Sequence, residues 1–134
     1  MDYPWTLDVS SKVFSLIKTK TQNALKNKYH DLYITDEEMQ NRTPTFPTVY
    51  IHELEGAEIG NDLVNQTING INFNIQIDVS AKTRTDAKTV MAEVISNLKS
   101  MAFTLYGMPI LQKTSDVYVL TVRGRRILGA TDTI

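Results

Sequence analysis

The sequence predicts an α+β domain in which an antiparallel or mixed sheet carries two main helices on one face, in the order α-β-β-α-β-β. Three observations predict it. The stretch "NGINFNIQIDVSAK", residues 69–82, alternates without a slip. Ile71, Phe73, Ile75, Ile77 and Val79 fall on one side and Asn72, Asn74, Gln76, Asp78 and Ser80 on the other, the period of a strand with one buried face. After Thr83, the residues Ala87, Val90, Met91, Val94, Ile95, Leu98 and Met101 form one apolar side at helical spacing. Strand signals come in two pairs, one before this helix and one after, which favours hairpins with the helices gathered on one side of the sheet. A chain of 134 residues suits a single domain, 1–134, that buries roughly two-thirds of its unfolded surface.

The elements follow in order. Asp8 stands where a helix N-cap would, ahead of Val9, Val13, Phe14, Ile17, Ala24 and Leu25, so the first helix is expected from about Val9 to Tyr29, with Trp5 outside it. Its centre, "KTKTQN", is polar apart from the stripe position Thr21, so its buried face is narrow. Pro44 and Pro47 make "TDEEMQNRTPTFPT" a loop. It leads into a first strand, "TVYIHEL", with Val49, Ile51 and Glu53 opposite Tyr50, His52 and Leu54. The stretch from Glu55 to Gly70 has no sustained period, and reads either as an assembly element or as the end of a hairpin with the strand that follows. Thr83 followed three residues later by Asp86 resembles a capping box with the shorter acid. "AFTLYGM" begins a strand that breaks at Gly107 and Pro109 and resumes in "ILQKTSD". In "VYVLTVRGRRIL", Tyr118, Leu120 and Val122 alternate with Val119, Thr121 and Arg123, and Gly124 is read as a bulge that resets the phase.

Composition narrows the function. There are no cysteines, which removes disulfides, thiol nucleophiles and cysteine-bound zinc. Fourteen basic residues against fifteen acidic ones disfavour a binder driven by broad phosphate neutralisation. Nowhere do about 18 apolar residues follow one another, and no apolar run has the length of a leader, so a soluble protein without a cleaved signal or membrane contact is expected.

No motif points to catalysis, and no cofactor or metal is expected. His30 and His52 stand apart and lack a partner at ligand spacing. The run Asp36, Glu37 and Glu38 lacks the alternating oxygens and central glycine of a calcium loop. "RGRRILG" is more suggestive. Arg123 and Arg125 project from one strand face and Arg126 joins them nearby, a grouping for a subunit contact, for phosphate, or for a solvated strand end. Met39 and Met108, in loops, are better interface candidates than Met91 and Met101 of the helix stripe. Trp5 reads either as cover for the end of the core or as a docking residue.

"PTVYIHELEG", "INFNIQIDVSAKTRTDAKTVMAEVISNLKSMAF" and "TSDVYVLTVRGRRILG" together resemble the tail terminator, or tail-to-head joining, proteins of long non-contractile-tailed bacteriophages. The features are Pro47, Val49 and Tyr50; Gln76, Ile77, Asp78 and Val79; Ala87, Val90, Met91, Val94, Met101 and Phe103; and Ser115, Asp116, Tyr118, Arg123, Arg125, Arg126 and Gly129. The likeness runs from about Pro47 to Ala130.

The resemblance implies a structural protein of the virion, made in the host cytoplasm and placed at the head–tail interface. Copies would form a homo-oligomeric, hexameric ring on the tail tube, stop its polymerisation and present a surface to the head connector or stopper protein. DNA would pass through the channel without specific binding. On this reading the interface residues are Asn72, Asn74 and Gln76, Arg123, Arg125 and Arg126, with Asp62 and Met108 at the loops. Two other readings stand beside it: a head-completion or stopper protein of the phage neck, and a small nucleic-acid-binding α+β module using "RGRRIL".

Overall fold

The computed structural model describes residues 4–36, 46–59, 70–114 and 116–129. The chain runs α1 (Pro4–Leu25), β1 (Tyr33–Thr35), β2 (Thr48–Ile59), β3 (Gly70–Ala81), α2 (Arg84–Ser100), β4 (Thr104–Thr114) and β5 (Val117–Gly129). The strands form one mixed sheet in the spatial order β1-β2-β3-β5-β4. The α+β class with two helices matches the expectation, but the expected element order is corrected. A short strand, β1, precedes β2 and pairs with it in parallel, Ile34 opposite Val49. Three residues are too few to show a period, and a parallel neighbour needs a connection of about a dozen residues, so β1 leaves no local signature. Its Ile34 and Thr35 are nonetheless buried.

All remaining pairs are antiparallel. The alternation of β3 fixes the layering. Phe73, Ile75, Ile77 and Val79 are buried, joined across the sheet by Val49 and Ile51 of β2 and by Leu120, Val122 and Leu128 of β5. α2 packs over β3 and β5 through Ala87, Val90, Met91, Val94 and Leu98, and α1 lies against α2 through a stripe at every fourth residue, Val9, Val13, Ile17, Thr21 and Leu25. Each fully buried aliphatic side chain contributes about 1.5–3 kcal/mol of transfer free energy. Ala24, expected on that stripe, is exposed.

α1 begins at Pro4, about one turn before the expected start, so Asp8 lies inside the helix and Trp5 in its first turn. Proline is favoured there because the first-turn N–H groups have no helical acceptor. The helix ends at Leu25, one turn before the expected Tyr29, and a turn follows in which Tyr29 N donates to Leu25 O at 2.9 Å. The Tyr29 hydroxyl donates to Asp86 Oδ1 at 3.0 Å, tying this end to the start of α2. Burial, and then the Asp86 contact, push the Tyr29 phenol above its ordinary value. The capping box forms by half. Thr83 is the N-cap and its Oγ1 accepts from Asp86 N at 3.1 Å, while the Asp86 carboxylate serves Tyr29.

The other end of α2 carries strain. Phe103 N donates to Leu98 O at 3.0 Å and Ala102 N to Lys99 O at 3.1 Å, which places Ala102 at the left-handed position of a Schellman motif with φ 63°. An L-residue with a Cβ costs about 1 kcal/mol there relative to glycine. Ala102→Gly is therefore expected to raise the thermal midpoint by about 3–4 °C in a calorimetric scan.

The bulge predicted at Gly124 is not there. β3 and β5 keep one register from Gly70 opposite Gly129 to Ala81 opposite Tyr118, with Gly124 opposite Ile75. The irregularity lies in β4, between Tyr106 and Ile110, where Gly107 has φ 79°. β4 therefore does not break at Gly107 and Pro109; it bends there and continues.

Candidate functional site: the uncovered sheet face

With both helices on one side, no described element covers the opposite face of the sheet. Its rows follow from the register. Tyr50, Asp78, Thr121 and Ile110 form one; His52, Gln76, Arg123 and Tyr106 the next; Leu54, Asn74, Arg125 and Thr104 the third; Asn72 and Ile127 stand beyond them. Asn72, Asn74, Gln76, Arg123 and Arg125 thus share one face, as the alternation predicts.

The amide side of β3 is largely satisfied within the sheet. Arg123 Nε donates to Gln76 Oε1 at 2.9 Å, and Gln76 Nε2 reaches Asp78 Oδ1 at 3.3 Å. Thr121 Oγ1 donates to the same Asp78 oxygen at 2.7 Å. His52 Nε2 approaches Asp78 Oδ2 at 3.4 Å without hydrogen-bond alignment, and its ring stacks on Tyr50 with centroids 4.6 Å apart. Asn74 Nδ2 makes a long contact to Asn72 O at 3.4 Å, while Asn72 Oδ1 is buried without an acceptor's partner among the described residues. Asp78 is the hub. Its donors are one amide of its own strand, Gln76, and one hydroxyl of the neighbouring β5, Thr121.

The β5–β4 half of the face has another character. Ile110 and Ile127 are 67% and 65% exposed, and Tyr106 is 36% exposed. The Arg125 guanidinium lies 5.9 Å from the Tyr106 ring centroid, within cation–π reach. A depression of about 420 Å³ opens beside the β4 bulge, between Tyr106, Ile110, Thr121 and Arg123. Expecting a bulge at Gly124 hid Ile127, which an unbroken alternation from Thr121 through Arg123 and Arg125 places on this face.

Other predicted positions fall elsewhere. Arg126 does not join Arg123 and Arg125: it pairs with Phe73 of the buried row, and its Nη1 donates to Met101 O at 2.9 Å at the end of α2. Asp62 and Met39 lie outside the described residues, and Met108 lies in β4 with a side chain outside them. His30 is exposed in the turn after α1, far in sequence and element from His52. Among the described residues no three His, Asp or Glu side chains are grouped to hold a metal ion.

No protein-family model and no curated protein matches this chain.

A second feature was not singled out from the sequence. On the helix side, at the β1–β2 edge, a cleft of about 200 Å³ is lined by Ser11 and Phe14 of α1, Asp36 after β1, Glu53 of β2 and Phe73 and Ile75 of β3. Glu53 occupies a core-facing position opposite Ile75, where the pattern of β2 calls for an apolar residue. Burial pushes its carboxyl above the ordinary value, and no cation pairs with it among the described residues. A carboxyl raised on folding contributes stability that is full below its unfolded pKa and is lost as pH rises through the folded value. Glu53→Gln is therefore expected to stabilise the isolated protein at neutral pH and to leave it unchanged near about pH 3. The gain is a few tenths of a kcal/mol, since the carboxylate is largely exposed and screened; urea melts at the two pH values measure it.

Proposed function

We propose that this chain is a phage tail terminator: a structural protein whose copies form a ring on the end of the tail tube, stop its growth and offer the surface that joins tail to head. The observation that carries the reading is the bare sheet face. A five-stranded sheet with both helices on one side leaves a face that no described element covers, whose β3 half is polar and internally bonded, and whose β5–β4 half exposes two isoleucines, a tyrosine and two arginines. Such a mixture, wet at one side and apolar at the other, has the composition of an assembly interface, where aromatic and arginine side chains are enriched. The motif resemblance from Pro47 to Ala130 supplies the identity of the assembly, and the mixed sheet packed by two helices agrees with it.

Function on this account is geometric. Heterologous contacts repeated around an axis close into a ring that leaves no free end within its plane. Termination follows when one axial surface of the ring matches the tube protein and the other does not. A ring hexamer, a tube-protein partner on one side and a head connector or stopper on the other are parts of the proposal, as is unhindered passage of DNA. The near-neutral chain, with net charge −1, suits a channel that must not hold phosphates.

The arginines favour one other reading. Arg123 and Arg125 share a face with Tyr106, a grouping that a single-stranded nucleic acid could use. It predicts oligonucleotide binding that weakens steeply with salt. The terminator reading predicts none of consequence.

The deciding experiment adds purified protein to polymerising tail-tube subunits and views the products by negative-stain microscopy. Tubes that stop at a bounded length with a ring at one end are the expected result. Tubes that grow on with bare ends refute it.

A further inference from the structure

We infer that copies of this chain join head to tail, the Arg123–Arg125–Ile110 patch of one seated on the Asp36–Glu53 cleft of the next. The inference rests on the ring reading and names the two surfaces that would close it.

The two surfaces are complementary in sign. The patch on the β5–β4 half of the bare face carries two exposed guanidinium groups and Ile110, which is 67% exposed. The carboxylate nearest it in the register, Asp78, is already committed to Thr121 and Gln76. The cleft at the β1–β2 edge presents Asp36 and Glu53 over walls of Phe14 and Phe73. At about 200 Å³ it is below the usual range of small-molecule sites and suits a single side chain with an apolar stem and a charged tip. Arginine is the side chain this chain offers for such a place, since its planar fork matches paired carboxylates and lies on aromatic faces.

The placement of the surfaces fits a repeating contact. The cleft opens on the helix side, at one end of the strand order; the patch lies on the other face, toward the opposite end. They do not overlap, so one copy can use both at once. A twofold contact through the patch would set arginines against arginines, which opposes an isologous dimer. Glu53 makes sense in this scheme. It occupies an apolar position, partly desolvated though still exposed and without a cation among the described residues, so its charged form is mildly disfavoured in the lone molecule and gains a partner when a neighbour supplies the opposite charge.

The test uses two full-length variants, R123E/R125E and D36K/E53K, and sedimentation velocity over a concentration series in which the parent self-associates, with tube ends as template where it does not do so alone. Each variant alone is expected to associate on the order of 30-fold more weakly than the parent, as for a desolvated charge pair with one partner lost. Mixed in equal amounts they are expected to recover assembly, because each patch then meets a cleft of opposite sign. Far-ultraviolet circular dichroism establishes folding. Should R123E/R125E fail to fold, R125E replaces it, since the Arg125 guanidinium lies against the exposed Tyr106 ring and not in the core. Folded variants that assemble like the parent, or that stay apart when mixed, overturn the inference and leave the ring reading standing. A parent that neither self-associates nor caps tubes overturns both, and oligonucleotide binding lost on R125E in that case assigns the patch to nucleic acid.

Discussion

Ile77→Ala is expected to lower the unfolding free energy by about 3–4 kcal/mol, among the larger effects of a single truncation in this fold. Ile77 is fully buried on the central strand β3, with Ile51 of β2 and Val122 of β5 as its lateral partners. α2 covers β3 from above, so the site is bounded on three sides by regular elements that cannot collapse into the space left. The cost is therefore transfer free energy plus a persistent cavity, at the upper part of the range for such changes. The same residue holds the register. A slip of one position would bring Asp78 and Gln76 into the core and put Ile77 and Ile75 on the bare face. Chemical denaturation measures the loss. A midpoint shift corresponding to less than about 1 kcal/mol would mean that the site relaxes and that α2 does not pin it.

The second large effect is polar. Asn97 Nδ2 donates to Thr21 Oγ1 at 2.9 Å between the two helices, and both residues are buried. Thr21→Val keeps the shape of the side chain and removes the acceptor, leaving a buried amide donor without a partner. That is expected to cost about 1–3 kcal/mol, whereas the hydrogen bond itself is worth about 1 kcal/mol net. The asymmetry makes a sharp check. The double variant Thr21→Val with Asn97→Leu removes both polar groups together, and should recover most of the loss, giving a coupling energy near 1–2 kcal/mol in a double-mutant cycle. Additive losses would show that the two side chains do not depend on each other. The pair also explains the polar centre of α1. Thr21 sits on the stripe because it meets an amide rather than an apolar side chain.

The elements that could be read from the sequence are those with long, regular periods. β3 reads as a strand because its alternation is complete from Ile71 to Val79, and α2 because its apolar side recurs through Met101. Thr83 was legible as a cap for the same local reason. What escaped has nonlocal causes. β1 is three residues long and exists because β2 offers a parallel edge. Gly124 looks like a bulge because glycine is common at bulges, but it keeps the register, and a Cβ there would make only ordinary van der Waals contact with Phe103 and Leu105 at 3.5 Å. Gly107, with its positive φ, carries the real irregularity. α1 starts at Pro4, ahead of the aspartate, Asp8, that the sequence offers as its cap.

The candidate site divides in the same way. That Asn72, Asn74, Gln76, Arg123 and Arg125 share a face follows from alternation alone. That Gln76 and Asp78 are bonded to β5 and not waiting for a neighbour depends on which strand lies beside β3, and chain order does not reveal that β5 inserts between β3 and β4. The outward amides are therefore less available than their count suggests, and the exposed apolar and cationic groups beside them bear more of the proposed contact. Arg126 illustrates the limit most simply: one residue further along the strand, it turns to the other face and caps a helix.

The central claim is that the bare sheet face is covered when the protein caps a tube. The chain has no cysteine, so Ile127→Cys introduces a single thiol at a site 65% exposed in the isolated molecule. Its alkylation rate, compared before and after capping, reports that face directly, with Lys88→Cys on the exposed side of α2 as reference. The account predicts slowing on the order of tenfold or more at position 127 in the capped state and little change at position 88, as expected where an interface excludes water. Equal rates at position 127 in the free and capped states would contradict it.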